Sequence, residues 1–165
     1  MTVSVRLYEE RDWPQLWPIL GATFSKGDTY AFPTDWTEGE TKTAWITAPL
    51  ATFVAVSESD GILGSYFLRP NHLGNAAHTA NCGYVVSAAA AGRGVATAMC
   101  EHSQEEARRR GFLVMQFNFV VSTNVRAVEL WKRLGFLVVG QVPMAFRHPH
   151  HGFVDSYVMH KWLAT

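Results

Sequence analysis

The stretch of this chain whose residue types and spacing carry the most chemistry is Gly83-Tyr-Val-Val-Ser-Ala-Ala-Ala-Ala-Gly92-Arg93-Gly94-Val95-Ala96-Thr97-Ala98-Met99. It reads as a strand that enters a glycine-containing turn and leaves as a helix. The first N–H groups of a helix have no intrahelical partner. Together with the positive end of the helix dipole they form an anion site that a pyrophosphate fits. Gly92 and Gly94 let the backbone come close, and Ala96 is small enough to do the same. A glycine helix start with no ligand fits the local pattern equally well. Two familiar phosphate loops are disfavoured. A P-loop ends in GK[ST], whereas Val95 follows the glycine here. A dinucleotide fingerprint needs a small residue where Thr97 stands and an acid about 20 positions on, and residues 112–121 contain none.

A second polar group stands out by its surroundings. Asn118 lies within residues 115–121, which are otherwise almost entirely apolar. A buried amide left without partners costs ~1–3 kcal/mol. It is therefore expected to be hydrogen-bonded, by neighbouring backbone, by water or by a ligand carboxylate. Other candidates weigh less. His148, His150 and His151 lie in a Pro/Gly loop without helical i,i+4 spacing or a nearby Cys, so they read as a solvated loop and no metal site is expected. Cys82 and Cys100 form no CxxC and read as buried structural thiols. Arg108, Arg109 and Arg110 end a helix, where cations suit the dipole.

The elements that must position these groups follow from periodicity and turn chemistry. Strands are expected over residues 3–8, 51–58, 62–69, 81–86, 112–120, 137–142 and 153–162. Asp12 is expected to cap a first helix with Leu16, Ile19, Leu20 and Phe24 at helical spacing, and Thr37 with Glu40 forms a capping-box pattern for a short second one. Further helices are expected over 95–110 and 123–134, the last stopped by Gly135. Residues 112–120 read as a strand buried on both faces, and a Pro/His loop should join the last two strands. The order β-α-α-β-β-β-α-β-α-β-β implies an α/β domain with a mixed, mostly antiparallel sheet and helices on both faces.

The 165 residues suit one domain, and 48% hydrophobic against 17% charged residues allows a sizeable core. Fourteen basic residues balance fourteen acidic ones, without the basic excess of a nucleic-acid binder. No apolar run approaches the ~20 residues of a membrane span, and no signal peptide is read at the start, so a soluble cytoplasmic protein is expected.

The glycine turn, the helix after it and the segment Asn124-Val-Arg-Ala127-Val-Glu-Leu130-Trp131-Lys-Arg-Leu134-Gly135-Phe136 together resemble the GCN5-related N-acetyltransferase (GNAT) superfamily. The pattern [QR]-x-x-G-x-[GA] reads Ala91-Gly92-Arg93-Gly94-Val95-Ala96 here, and N-x-x-A-x-x-L-Y-x-x-x-G-F is complete except that Trp131 replaces Tyr. The resemblance implies acetyl-CoA as cosubstrate. The Val86 backbone would meet its pantetheine arm, and the amides from Gly92 through Arg93, Gly94, Val95 and Ala96 to Thr97 its pyrophosphate. Asn124 would bond the pantetheine or phosphate region, although Asn also suits a helix start on its own. Two departures matter. Ala91 loses a side-chain contact but keeps its amide. Trp131 stands where relatives place the Tyr that protonates the leaving thiolate, and indole cannot act as that acid. Catalytic residues stay unassigned, with Asp28, Asp155 and Glu58 the carboxylates to check as a base. One of Arg108 to Arg110 could steer the cofactor phosphates. The superfamily often pairs, so a homodimer using the late aromatic strand is among the implications.

Tyr66-Phe67-Leu68-Arg69-Pro70-Asn71, Asn81-Cys82-Gly83-Tyr84, Gln116-Phe117-Asn118-Phe119-Val120 and Gly140-Gln141-Val142-Pro143 further resemble N-acetyltransferases that act on proline analogues such as azetidine-2-carboxylate and hydroxyproline. That likeness implies that Asn81 and Asn118 meet the carboxylate of a small amino or imino acid, with Asp28, Thr29 and Tyr30 walling the pocket. A protein N-terminus, a polyamine or an antibiotic are the alternative acceptors, and a non-catalytic acyl-CoA sensor is the alternative outside enzymes.

Overall fold

Among the described residues, seven strands form one sheet, in which the strands numbered along the chain stand side by side in the order first, second, third, fourth, fifth, seventh, sixth. The computed structural model describes residues 2–164; Met1 and Thr165, the ends of the expected single domain, lie outside them. The strands are β1 (Ser4–Leu7), β2 (Ala51–Ser57), β3 (Gly61–Pro70), β4 (Thr79–Val86), β5 (Val114–Val121), β6 (Leu137–His148) and β7 (Gly152–Trp162). The helices are α1 (Trp13–Lys26), α2 (Glu38–Lys42), α3 (Val95–Arg109) and α4 (Val125–Arg133). Every neighbouring pair is antiparallel except β4 and β5, which run parallel. That is the mixed, mostly antiparallel sheet the element order implies.

Two apolar layers hold helices to the sheet. On one face Leu16, Leu20 and Phe24 of α1 join Trp45 against Val54, Ile62, Phe67 and Val85. On the other, Val95, Met99 and Cys100 of α3 and Val128 and Trp131 of α4 pack on Tyr66, Leu68, Cys82, Met115 and Phe117. Strand alternation makes this division, because Tyr66 and Leu68 point to the face opposite Phe67.

Three local expectations are corrected. Asp12 does not cap α1. It lies in a 3-10 turn, Glu10–Asp12, and its carboxylate accepts both Arg6 Nη atoms at 2.8 Å and the Glu9 amide at 2.8 Å. The Pro/His loop is shorter than expected. β6 continues through Pro143 to His148, and Pro143 is tolerated because it falls in the register break between Val142 and Phe146. β5 is not buried on both faces: Asn118 and Phe119 are exposed. The Thr37–Glu40 capping box does form, with Glu40 N donating to Thr37 Oγ1 at 3.3 Å and Thr37 N to Glu40 Oε2 at 2.7 Å.

Candidate active site

The site begins where the sheet comes apart. β4 and β5 pair only at Thr79↔Val114 and Ala80↔Met115. Past that point Asn81 Nδ2 still reaches Gln116 O at 3.0 Å, and then the two strands diverge. β5 follows β7 instead, through an irregularity between Phe117 and Val120. The divergence opens a cleft of about 950 Å³ lined by both strands, the start of α3, the start of α4 and the segment after α1. Of the residues the sequence singles out, Val86, Ala91, Gly92, Gly94, Val95, Ala96, Thr97, Asn124, Trp131, Asn81, Asn118, Asp28, Thr29 and Tyr30 all line it.

At one end of the cleft the turn between β4 and α3 offers unused donors. Gly92 and Gly94 take positive φ, 76° and 79°, which only glycine adopts without cost. The amides of Gly92, Gly94, Val95, Ala96 and Thr97 donate to no carbonyl among the described residues, whereas Ala91 N is bonded to Ala88 O and Arg93 N to Ala90 O. Arg93 therefore differs from its neighbours. Its side chain reaches Asp60 at 2.5 Å and does not line the cleft. Two further groups face the same end. Asn124 stands at the N-cap of α4, yet its side chain makes no capping bond. Arg126, exposed and without an ion pair among the described residues, brings Nη2 to 3.9 Å from where a Cβ on Gly92 would lie. Arg126 occupies a variable position of the helix motif, so no spacing signals it.

Elsewhere on the wall of the cleft, a chain of amides leads from β5 to the segment after β3. Gln116 Nε2 donates to Asn118 Oδ1 at 3.0 Å, and Asn118 Nδ2 donates to Asn71 Oδ1 at 2.6 Å. Asn118 is thus bonded, as an amide in apolar surroundings must be, but by neighbouring amides and in an open cleft rather than in the core. Arg69 Nε approaches Asn81 Oδ1 at 3.4 Å. The sequence gives Arg69 no role of its own, although its alternation with Phe67 on β3 places both on the face that lines the cleft. Tyr30 Oη donates to Tyr84 O at 2.7 Å, and its ring packs between Phe24 and Phe32. Burial raises the Tyr30 phenol above its usual pKa, so it stays a donor.

Proton chemistry has few carriers here. Asp28 and Glu129 are the carboxylates lining the cleft. Asp155 instead accepts from Met144 N and Gln141 Nε2, and Glu58 sits outside the cleft. Trp131 lies against Tyr84 and Phe117 with centroids 5.0 and 5.3 Å away. Burial pushes the Cys82 thiol well above its ordinary pKa, which removes it as a nucleophile. His148, His150 and His151 lie at the β6–β7 tip, away from the cleft.

Both the sequence and the fold have known relatives. Residues 13–136 match the model of the Acetyltransferase (GNAT) family. N-acetyltransferase aca1 of Schizosaccharomyces pombe is 31% identical over 112 residues, 67% of this chain and 54% of the yeast protein, so the match spans about half of that relative. The structure of a GCN5-related N-acetyltransferase from Kribbella flavida superposes with a TM-score of 0.92 at 43% identity, covering 97% of each chain. A phosphinothricin acetyltransferase from Sinorhizobium meliloti, solved in complex with acetyl-CoA, shares the fold at 18% identity and a TM-score of 0.87, over 99% of this chain and 90% of that one. With the family model matched over most of its length and the same fold in these solved structures, the chain belongs to the GNAT acetyltransferase family.

Proposed function

We propose that the protein transfers the acetyl group of acetyl-CoA to the amine of a small amino or imino acid, by direct attack within a ternary complex. One observation carries this reading. A single cleft between the parted strands holds unbonded main-chain donors and, elsewhere on its wall, a neutral amide cluster. The amides of Gly92 and Gly94 to Thr97 suit a pyrophosphate, and Arg126 adds a cation beside them. The edge of β4 beyond Ala80 lacks a strand partner on the β5 side, so it can offer main-chain hydrogen bonds to a pantetheine arm. Acetyl-CoA supplies an activated acyl group, and its transfer releases coenzyme A as the thiol.

The chain's own residues do the rest by placement. Binding both reactants in one cleft turns a bimolecular step into a local one. Asn81 and Asn118 hold the acceptor, Phe67 and Tyr30 wall it, and Asp28 is the carboxylate placed to draw off the amine proton through water. Trp131 cannot return a proton to the leaving sulfur. A thiolate whose conjugate acid has a pKa near ~8.5 leaves tolerably without one and becomes the thiol by taking a proton from water.

The test is release of coenzyme A from acetyl-CoA against free amino acids, proline analogues, polyamines, aminoglycosides and peptides. Selective turnover of azetidine-2-carboxylate or hydroxyproline is expected. Asn118→Ala should lower acceptor kcat/KM about tenfold, the value of ~1.4 kcal/mol from one lost bond to a charged group, and leave acetyl-CoA affinity unchanged. Turnover confined to polyamines or peptides would discard the acceptor class. Acetyl-CoA binding with no turnover across the panel would move the protein to the sensors.

A further inference from the structure

We infer that Arg69 is the counter-ion for a carboxylate on the acceptor, so that the cleft selects amines with an acidic group beside the reacting nitrogen; this rests on the acetyl-transfer reading above. Arg69 stands opposite Asn81 in the β3–β4 register and two residues from Phe67. Its guanidinium carbon lies 5.2 Å from the centroid of the Phe67 ring, and Nε points to Asn81 Oδ1 at 3.4 Å. These contacts hold the group from one face and one edge. No Asp or Glu pairs with it among the described residues, and both Nη atoms lack a hydrogen-bond partner there. Arg93, Arg108, Arg109 and Arg110, by contrast, each have a carboxylate.

An arginine steadied over a ring, lining a cleft and lacking its own anion, presents two parallel N–H donors in the geometry a carboxylate accepts. Its neighbours add to the same end. Asn81 and Asn118 are neutral amides that can bond an anion without neutralising it, and Phe67 contributes an apolar wall for a small ring or side chain. A polycationic acceptor would bring ammonium groups against Arg69. The charge of this residue therefore decides between the zwitterionic and polycationic acceptors that a neutral pair of asparagines would leave undecided.

The experiment compares kcat/KM for L-azetidine-2-carboxylate and its uncharged carboxamide, for the wild-type protein, Arg69→Gln and Arg69→Lys, with acetyl-CoA affinity measured in parallel. The wild type should favour the acid. Arg69→Gln should lower kcat/KM for the acid on the order of 10- to 100-fold, mostly through KM, with a far smaller change for the carboxamide. Arg69→Lys should restore part of the preference, because it returns the charge without the fork. Equal use of acid and carboxamide by the wild type would overturn the proposal. So would an equal loss on both acceptors in Arg69→Gln, or silence toward both while acetyl-CoA still binds. Failure of acetyl-CoA to bind would instead overturn the reading beneath it.

Discussion

At the scale of single residues, the cleft is assembled from groups whose bonding capacity the fold leaves unused. Asn124 heads α4 without capping it, and Arg126 in the first turn carries no anion among the described residues. Reversing that charge should weaken a phosphate-bearing ligand selectively. Arg126→Glu is expected to raise the acetyl-CoA Kd about tenfold, ~1.4 kcal/mol, and to flatten its salt dependence, while the ligand-free protein melts no lower, since an acid suits the start of α4. Calorimetric titration at two ionic strengths reads both, and unchanged affinity would remove Arg126 from the proposed phosphate site. Residue-level legibility in the sequence was uneven for a physical reason. The glycines and Asn124 belong to a local motif whose backbone role depends on their own type. Arg69 and Arg126 owe their position to a β3–β4 register and to a turn from a different element, and no spacing along the chain records either.

At the scale of elements, the proposed acceptor wall depends on how closely β3, β4 and the segment after α1 approach one another. Gly83 is the point of contact. A Cβ built there would lie 2.6 and 2.9 Å from the Phe67 ring and 3.1 Å from Tyr30 Oη. Phe67 cannot retreat freely, since Trp45 packs edge-on at 4.9 Å. Gly83→Ala should therefore cost ~1–3 kcal/mol in urea unfolding, as overpacking does, and raise the acceptor KM with little effect on that of acetyl-CoA. Unaltered acceptor kinetics would show that this wall does not shape the pocket. Elements were legible wherever a local rule governs them. The Thr37–Glu40 box caps α2, and Gly135 follows the end of α4 with φ at 91°. Where a distant partner decides, the local rule fails. Arg6 claims the carboxylate that would have capped α1, and the parting of β4 from β5 exposes a strand whose apolar run reads as buried.

At the scale of the whole molecule, the same Arg6–Asp12 pair fastens the edge strand β1 to the entry of α1, the helix whose following segment walls the cleft. Hydrogen bonds from Arg6 hold the Asp12 carboxyl below its ordinary pKa of 3.8, against an opposing push from its burial. A carboxyl with a lower pKa folded than unfolded binds fewer protons when folded, so its contribution is complete above 3.8 and disappears as pH falls through the lower folded value. Arg6 keeps 37% of its side chain exposed while Asp12 keeps 6%, and solvent on the arginine side holds the pair near ~1 kcal/mol. Asp12→Asn should thus unfold more easily than the wild type at pH 7 by about that amount, in urea titrations followed by Trp fluorescence. The gap should close as both are acidified below 3.8, because the wild-type carboxyl then loses its charge too. A gap that persisted undiminished through that range would mean that the asparagine disturbs packing, and that the ion pair does not tie β1 to α1.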